Sequence, residues 1–364
     1  MKVSIFVNSL SGGGAERVAC NLAGFLVRRG HKVDLLTVSN SGAAYGLDPG
    51  VNHIALEKGR RIRFAPLRRI GKLLRLREYI KKTDTDAYLV MLLPTIRSLL
   101  YFKKLIKVPV IIAERCDPAS YPASEQKLLI SCAQKADAVV FQTVDAQAWY
   151  GKAAEGKSRV IPNAINTEFI KEPYTGERRK AIVAIGRLTD QKNFSLLLHA
   201  FAAVADKFPD YSLIIFGNGP LLAAHKALAE SLGVGERTKF PGFVTDIGEK
   251  ILDASLFVLS SDYEGMPNAL MEAMALGLPC ISTDCPAGGP RYLIQNGENG
   301  LLVSVGDRDA LAMAIEKVLS DKELAQRLGG SARDICGRLS AEKIYGQWEE
   351  FIRHMVKTRE YHED

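Results

Sequence analysis

The sequence predicts an α/β protein built from two Rossmann-like, doubly wound domains that face a cleft. Apolar runs typical of buried parallel strands alternate with segments of helical periodicity, and this alternation occurs twice along the chain. The chain has 364 residues, of which 47% are hydrophobic and 24% charged. That length is too great for one compact core and suits two domains.

The predicted strands form two series in chain order. The first series reads KVSIFV, KVDLLTV, VNHIAL, AYLVML, VPVIIAE, DAVVFQT and SRVIPN. The second reads KAIVAIG, YSLIIFG, TKFPGF, LFVLSS, PCISTD and GLLVSV. A polar, turn-prone linker over 164–178 separates them, so we expect an N-terminal domain over 1–165 and a C-terminal domain over 175–340.

The last segment, SAEKIYGQWEEFIRHMVKT, predicts one long helix over 340–360. Ser340 is a favourable N-cap residue, and apolar residues follow it at helical spacing. We expect this helix to pack back toward the N-terminal domain.

Composition narrows the class of protein. No run of eighteen apolar residues occurs, and the N-terminal stretch MKVSIFVNSLSGGGAERV lacks the apolar core of a signal peptide, which predicts a cytoplasmic protein. The six cysteines form no CxxC pair, and the six histidines show no ligand spacing. We therefore expect reduced thiols and no bound metal.

Positive charge is concentrated in the segment EKGRRIRFAPLRRIGKLLRLREYIKK, residues 57–82. It contains eleven Lys or Arg and two Glu, an excess of nine, whereas the whole chain has a net charge of +7. Apolar residues are interleaved with the cations, namely Ile62, Phe64, Leu67, Ile70, Leu73, Leu74, Leu76 and Ile80. The pattern predicts a basic amphipathic helix with its approach loop.

Three interpretations of this segment compete. It could be a solvated helix face, or a nucleic-acid site, although no aromatic interleaving or recognition motif accompanies the charge. An anionic membrane surface fits best, because each Lys or Arg near such a surface contributes roughly 1 kcal/mol and the apolar stripe can enter the headgroups. We predict peripheral association with the inner face of the plasma membrane and no nucleic-acid partner.

A glycine-rich turn in SLSGGGAERVACNLAGFL joins the first strand to the first helix. The backbone at Gly13 and Gly14 allows close approach of a ligand, and free N–H groups at a helix start favour an anion. The turn does not match GxGxxG, because Arg17 occupies the position of the third glycine. This mismatch argues against a nicotinamide cofactor.

A second turn, in AIGRLTDQKNF, follows the first strand of the C-terminal series. The strand ends at Gly186, and Arg187 and Lys192 stand on either side of the turn. Two cations at the carboxyl end of a strand could neutralise a diphosphate without magnesium.

A third turn, in SSDYEGMPNALMEAMALGLPCIST, carries two acids. Glu264 and Glu272 stand eight positions apart on either side of a Gly-Met-Pro turn. Pro267 suits a first helical turn, and a helix that starts near Asn268 directs its N–H groups outward. The spacing alone leaves open an acid/base pair, a metal site, hydroxyl acceptors beside an anion pocket, or two solvated acids.

Together these motifs resemble the retaining glycosyltransferases of family four, which have the GT-B fold. The resemblance covers nearly the whole chain and includes VIPNAIN, GNGP at 217–220 and GF at 242–243. Its most specific part is EGMPNALMEAMALGLPCIST, which is similar to the family signature of two glutamates separated by seven residues.

The resemblance implies a retaining, metal-independent transfer from a UDP-sugar, with no cofactor. Arg187 and Lys192 would stabilise the leaving diphosphate, Glu264 would lie by the donor sugar, and Glu272 would hold the ribose hydroxyls. The transferred sugar would be a hexose or N-acetylhexosamine, and the acceptor a lipid-linked glycan or polysaccharide of the bacterial surface. The implied donor-binding residues are Gly13, Gly14, Gly186, Gly217, Phe243, Met266, Pro267, Asn268, Ala269, Leu270 and Glu272.

The sequence departs from the family at IIAERCDP, where many relatives carry a histidine. Glu114 and Arg115 stand there instead, and with Glu16 we place them on the acceptor or donor-sugar side. TDTD at 83–86 contains the DxD of metal-dependent glycosyltransferases, but it ends a helix before a strand, and we interpret it as capping. A nucleotide-sugar epimerase of similar fold and a non-catalytic subunit that binds nucleotide sugar stay open as alternatives.

Overall fold

The structure is a computed structural model that describes residues 1–11, 13–39, 46–57 and 65–363. The chain divides into two compact units, the first made of Met1–Ala164 with Glu342–Asp364 and the second of Ile165–Ala341. Each unit contains one parallel sheet with helices, so the predicted α/β class is confirmed.

All thirteen runs predicted as strands form strands within the described residues. Their bounds are β1 Lys2–Val7, β2 Lys32–Thr37, β3 Val51–Ala55, β4 Ala87–Met91, β5 Val110–Ala113, β6 Ala138–Phe141, β7 Ser158–Val160, β8 Arg179–Ile185, β9 Ser212–Phe216, β10 Thr238–Gly242, β11 Ala254–Leu259, β12 Cys280–Thr283 and β13 Leu301–Val303.

Helices connect the strands. Their bounds are α1 Gly14–Arg28, α2 Ala65–Lys82, α3 Leu93–Leu100, α4 Ala123–Lys135, α5 Val144–Tyr150, α6 Phe194–Val204, α7 Leu222–Ser231, α8 Ile247–Ile251, α9 Asn268–Ala275, α10 Gly289–Leu293, α11 Arg308–Ser320, α12 Lys322–Ala332, α13 Ile335–Arg338 and α14 Ala341–Glu363. Among the described residues, no helix combines the length and apolar character needed to span a bilayer.

The first sheet has the strand order β3-β2-β1-β4-β5-β6-β7, and every neighbouring pair is parallel. Its central strands are buried along their whole length, with Ala87–Met91 reading as one apolar run. Such continuous runs are expected where helices cover both faces of a parallel sheet. Chain order reverses between β1 and β4, which makes the carboxyl ends of these strands a switch point.

The second sheet has the order β10-β9-β8-β11-β12-β13, again parallel throughout. Its switch point lies between β8 and β11, which are paired directly. Helices α6 and α11 cover one face, where Leu197, Phe201, Leu311 and Ile315 are fully buried against the strands. Each such side chain stabilises the unit by roughly 1.5–3 kcal/mol.

The C-terminal helix α14 belongs to the first unit rather than the second. Its apolar stripe is buried, with Ile344 at 1% and Trp348 and Ile352 at 0% exposure. Tyr345 packs on Phe25 of α1, with ring centroids 5.6 Å apart. The helical periodicity of the last segment therefore indicated a real amphipathic helix, which runs three residues beyond the predicted end.

A polar cluster also holds α14 on the first unit. Glu349 Oε1 lies 3.0 Å from His31 Nε2, and Glu349 Oε2 accepts from Arg29 Nε at 3.2 Å. Burial alone would raise the pKa of Glu349, but the bonds to His31, Arg353 and Arg29 lower it to about 2. The carboxylate is therefore charged at neutral pH and contributes to the stability of the unit.

Candidate active site at the carboxyl edge of the second sheet

The second and third sequence motifs meet at the switch point of the second sheet. Residues 186–192 follow β8 and residues 260–267 follow β11, and these two strands are neighbours. Ligands of open α/β sheets bind at the carboxyl ends of strands at such a point. The fold thus brings together the cations of one motif and the acids of the other.

Two residues give the loop after β8 its shape. A Cβ at Gly217 would lie 1.9 Å from the carbonyl oxygen of Gly186, and Gly217 has φ +133°, so only glycine fits there. Asn193 adopts a left-handed conformation as N-cap of α6, and its side chain accepts from the Leu196 amide at 3.1 Å. Its Nδ2 also donates to Asp262 Oδ1 at 2.7 Å, which ties the β8 loop to the β11 loop.

Lys192 and Glu264 form an ion pair at the centre of the site. The Lys192 ammonium donates to Glu264 Oε1, and Ser261 Oγ donates to the same oxygen at 2.8 Å. The two charged side chains are only 15% and 10% exposed. Glu264 thus compensates the positive charge of Lys192, whereas Arg187 is exposed.

The turn before α9 leaves that helix without a side-chain cap. Pro267 is the N-cap residue and makes no side-chain hydrogen bond, and the first intrahelical bond runs from the Met271 amide to the Pro267 carbonyl at 3.2 Å. Amide groups of the first turn, including those of Ala269 and Leu270, face out of the helix, where the dipole favours an anion.

A loop from the neighbouring strand braces this turn. The backbone of Glu264 donates to Pro286 and accepts from Ala287, both at 2.6 Å. A Cβ at Gly289 would lie 1.9 Å from the carbonyl oxygen of Gly265, so the two segments pack at a distance that only glycine permits. The loop after β12 therefore belongs to the wall of the site.

The opposite end of α9 is held by two arginines. Arg333 Nη1 donates to the Ala275 carbonyl at 3.0 Å, and Arg178 Nη2 donates to the Gly277 carbonyl at 2.8 Å. Cations there complement the negative end of the helix dipole. Both ends of α9 are thus fixed by contacts within the second unit.

The other predicted donor-binding residues of this unit lie on the same edge. Glu272 is buried in α9, at 5% exposure, four residues after Asn268. Gly217 follows β9 and donates its amide to the Gly242 carbonyl at 2.9 Å, and Phe243 follows β10. The ring of Phe243 is 71% exposed, so its face is open to stacking by a planar group.

The predicted anion site at the glycine-rich turn of the first unit is covered by a side chain of α1. A Cβ at Gly13 would lie 2.0 Å from Glu16 Oε2, so the carboxylate folds back over the start of α1. Glu16 is the third residue of this helix, where an acid commonly satisfies free amide groups. An anion that docked at Gly13 and Gly14 would have to displace this carboxylate.

Glu114 and Arg115 are buried inside the first unit, at 6% and 8% exposure. Glu114 Oε1 accepts from the amides of Arg115 at 2.8 Å and Cys116 at 3.1 Å, and Oε2 accepts from the Tyr150 hydroxyl at 2.8 Å. Burial raises the pKa of Glu114, an effect that these hydrogen bonds oppose. Both side chains point into the unit, and their contact with an acceptor stays a prediction.

The TDTD segment has a different structural role from the one predicted. Asp86 Oδ2 accepts from the Lys2 amide at 2.6 Å, so this acid fastens the start of β1 rather than capping the preceding helix. Thr85 Oγ1 accepts from Ser4 Oγ at 2.9 Å. Across the described ranges, no group of three or more His, Cys, Asp or Glu is placed to hold a metal ion.

Sequence reasoning missed the residues that hold the site together. Ser261, Asn193 and Asp262 lie within the two motifs, and their short polar side chains were a local signal. The loop at 286–289 gave no such signal, because only the pairing of β11 with β12 places it beside Glu264.

Two family profiles match the chain. One is described as Glycosyltransferase Family 4 and covers residues 12–169, and the other as Glycosyl transferases group 1 and covers residues 166–335. The two matches together extend from residue 12 to residue 335.

Three similar proteins illustrate the match. An exopolysaccharide phosphotransferase of Streptomyces coelicolor is 34% identical over 229 residues, which are 62% of this chain and 24% of that protein. The chain therefore spans about a quarter of the length of that relative. The Campylobacter jejuni enzyme GalNAc-α-(1→4)-GalNAc-α-(1→3)-diNAcBac-PP-undecaprenol α-1,4-N-acetyl-D-galactosaminyltransferase is 26% identical over 359 residues, 97% of this chain and 98% of that one. The structure of HepE from Anabaena in complex with UDP has a TM-score of 0.80 and 18% identity, and the match covers 97% of this chain and 100% of that chain.

Proposed function

This chain belongs to the family 4 glycosyltransferases of the GT-B fold, and we propose that it is a retaining, metal-independent enzyme that uses a UDP-sugar. It transfers a hexose or N-acetylhexosamine to a lipid-linked or polysaccharide acceptor in bacterial surface glycan synthesis. The observation that carries the proposal is the ion pair of Lys192 with Glu264 in the turn that leads to the uncapped start of α9, with Arg187 on the same loop as Lys192. The UDP in the HepE structure supports the choice of nucleotide.

The diphosphate is bound by fixed positive groups in this proposal. Arg187 is exposed and can form two parallel hydrogen bonds to phosphate oxygens, and Lys192 contributes a point charge. The amide groups at the start of α9 supply further donors. These groups stabilise the charge that develops on the leaving UDP, which is the main way such a site can accelerate the reaction.

Glu264 changes partner when the donor binds. In the structure its carboxylate neutralises Lys192. A diphosphate competes for the ammonium, which frees a carboxylate oxygen for a hydroxyl of the donor sugar. Ser261 and the backbone bonds to the β12 loop hold Glu264 in place during this exchange, so the sugar is positioned without a large rearrangement.

Glu272 and Phe243 bind the nucleoside in this scheme. Glu272 accepts hydrogen bonds from the ribose hydroxyls, and the exposed ring of Phe243 offers a stacking surface for the base. No side chain is assigned as nucleophile or general base. Catalysis then rests on orientation and on stabilisation of the leaving group.

A lipid-linked acceptor is supported by the exposed face of α2. Leu67, Ile70 and Leu74 follow helical spacing and are 56%, 53% and 59% exposed. On the opposite face, Leu76 and Ile80 are buried against the sheet at 1% and 8%. Part of the predicted segment, residues 58–64 with Ile62 and Phe64, lies outside the described residues.

The middle of α2 lies beside the carboxyl edge of the first sheet. Arg75 Nη1 donates to the carbonyl of Leu56, the residue that follows β3, at 2.6 Å. This edge is where ligands of α/β sheets bind.

Lys82 pairs with Glu78 at 2.8 Å, and the other six cations of α2 fall into two groups. Lys72 pairs with Glu57 at 3.1 Å and Arg75 bonds the Leu56 carbonyl, so both serve the fold. Arg69, Arg77 and Lys81 are exposed, and Arg68 is half-buried. We assign these four, with the apolar stripe, to an anionic membrane surface that presents a lipid diphosphate, as the undecaprenol acceptor in the name of the Campylobacter relative suggests.

A donor screen tests the proposed reaction. The purified protein is incubated in excess EDTA with several UDP-sugars and lipid-linked acceptors, and released UDP and the anomeric configuration of the product are measured. We expect acceptor-dependent UDP release and a retained configuration. An epimerised donor without acceptor, or no turnover with any nucleotide sugar, would contradict the proposal.

A further inference from the structure

The guanidinium of Arg115 is buried without a full set of hydrogen-bond acceptors. The residue is 8% exposed, and its Nη1 donates to Asn163 Oδ1 at 3.2 Å. Its Nε and Nη2 have no partner in the described part of the chain. Burial lowers the pKa of Arg115 to about 10, so the group is charged at neutral pH. Buried donors of this kind are costly unless something accepts from them.

Two side chains beside Arg115 that carry acceptor oxygens, Glu114 and Asn163, are already engaged. Both oxygens of Glu114 accept from other groups, the Arg115 and Cys116 amides and the Tyr150 hydroxyl. Asn163 Oδ1 accepts from Gln142 Nε2 at 2.7 Å as well as from Arg115. An amide oxygen has two lone pairs, so this acceptor has reached its capacity.

Trp348 adds another donor to the same place. Its ring centroid lies 5.3 Å from Arg115 Cζ, and its Nε1 has no partner in the described ranges. The indole is fully buried, at 0% exposure. Two stacked side chains, one from the loop after β5 and one from α14, thus bring several unsatisfied N–H groups together.

The missing partner must accept several hydrogen bonds. A water molecule accepts at most two, has two O–H donors of its own to place, and leaves the guanidinium charge without compensation. An anion offers only acceptor sites and also compensates the guanidinium charge. Arg115, Gln142 and Asn163 follow β5, β6 and β7 at the carboxyl edge of the first sheet, the edge that binds ligands in this class of fold.

We propose that Arg115 and Trp348 hold a small monovalent anion, of the size of chloride or nitrate, inside the first unit. The anion joins the loop after β5 to α14 and so fastens the C-terminal helix. Because the site exists only in the folded protein, the anion stabilises that state according to its concentration.

Tryptophan fluorescence tests the site directly. A Trp149→Phe background leaves Trp348 as the sole tryptophan of the chain. Iodide replaces fluoride stepwise at constant ionic strength. We expect the quenching of Trp348 fluorescence to saturate, because the bound halide lies against the indole. Arg115→Met should leave only weak linear quenching, whereas Arg159→Met, which removes a guanidinium 5.8 Å from Phe351 on the same helix, should still saturate.

A second measurement covers the case in which Arg115→Met does not fold. Replacement of fluoride by chloride should raise the melting temperature of the wild type by about 3 °C. Asn163→Asp places a carboxylate beside the guanidinium and should make the melting temperature insensitive to chloride. Linear iodide quenching in the Trp149→Phe background, or equal chloride sensitivity in wild type and Asn163→Asp, would overturn the proposal.

Discussion

The ammonium of Lys192 donates a hydrogen bond to Oε1 of Glu264, and the two residues are 72 positions apart in the chain. The pair joins the loop after β8 to the loop after β11 at the switch point of the second sheet. A cation predicted to bind a diphosphate and an acid predicted to contact a sugar therefore neutralise each other in the structure. Substitution of either residue is therefore expected to change how the other one interacts with the donor.

The first prediction concerns Lys192 and metal. Activity should persist in excess EDTA, and Lys192→Ala should lower kcat by about 100-fold or more, because one fixed donor to the leaving group is lost. The melting temperature should also fall, because Glu264 is 10% exposed and keeps only the bond from Ser261, so kcat is measured below the onset of unfolding. Lys207→Ala, which removes an exposed ion pair to Glu316 at 2.7 Å, is the matched control and should keep full activity. A strict requirement for added magnesium would contradict the assigned role.

The second prediction separates the two glutamates by calorimetric titration with UDP. Glu272→Ala should weaken UDP binding about tenfold or more, because hydrogen bonds from the ribose to a charged group are lost. Glu264→Gln should bind UDP no more weakly than the wild type, because Lys192 no longer has a competing carboxylate, while its turnover falls. If both variants lost UDP affinity equally, the assigned partners would be wrong.

The third prediction concerns α2 and membranes. The protein should sediment with vesicles that contain anionic lipid and dissociate at high salt, since such attraction is screened within about 8 Å at physiological ionic strength. Charge reversal to Glu at Arg68, Arg69, Arg77 and Lys81 should abolish binding, whereas turnover on a short water-soluble acceptor analogue should change little.

A matched control variant has the same change in net charge, made elsewhere on the first unit. Reversal to Glu at Lys32, Lys104, Lys127 and Lys152, which are all exposed, should leave most vesicle binding intact. Equal loss in both variants would indicate a general effect of charge, and failure of the wild type to bind at low salt would leave α2 as a solvated face.

The fourth prediction concerns the pH dependence of stability through Glu349. Its pKa in the folded state is about 2, below the ordinary value of 4.5. A lowered pKa gives stability that is present above the unfolded value and is lost as pH falls through the folded one. In urea unfolding, Glu349→Gln should therefore be less stable than the wild type at pH 6, and the difference should shrink by pH 3. A difference that stays constant with pH would mean that the carboxylate charge is not what stabilises α14.

Local patterns in the sequence determined the elements and the motifs of this protein. Apolar segments predicted all thirteen strands, and the runs are continuous in central strands such as β4 because parallel strands covered on both faces need apolar side chains throughout. The spacing of Ile344, Trp348 and Ile352 predicted α14, because a helix buried on one side repeats every 3.6 residues. Both signals are carried by residues that are close in the chain.

Only the tertiary structure decided which partners these residues have. The order of strands places the loop after β12 against Glu264, and tertiary packing buries Glu114 and Arg115 inside the first unit. It also divides the cations of α2 into those that bond the end of β3 and those that face solvent. These outcomes depend on contacts between segments far apart in sequence, where packing and the pairing of buried polar groups select one arrangement that no local pattern encodes.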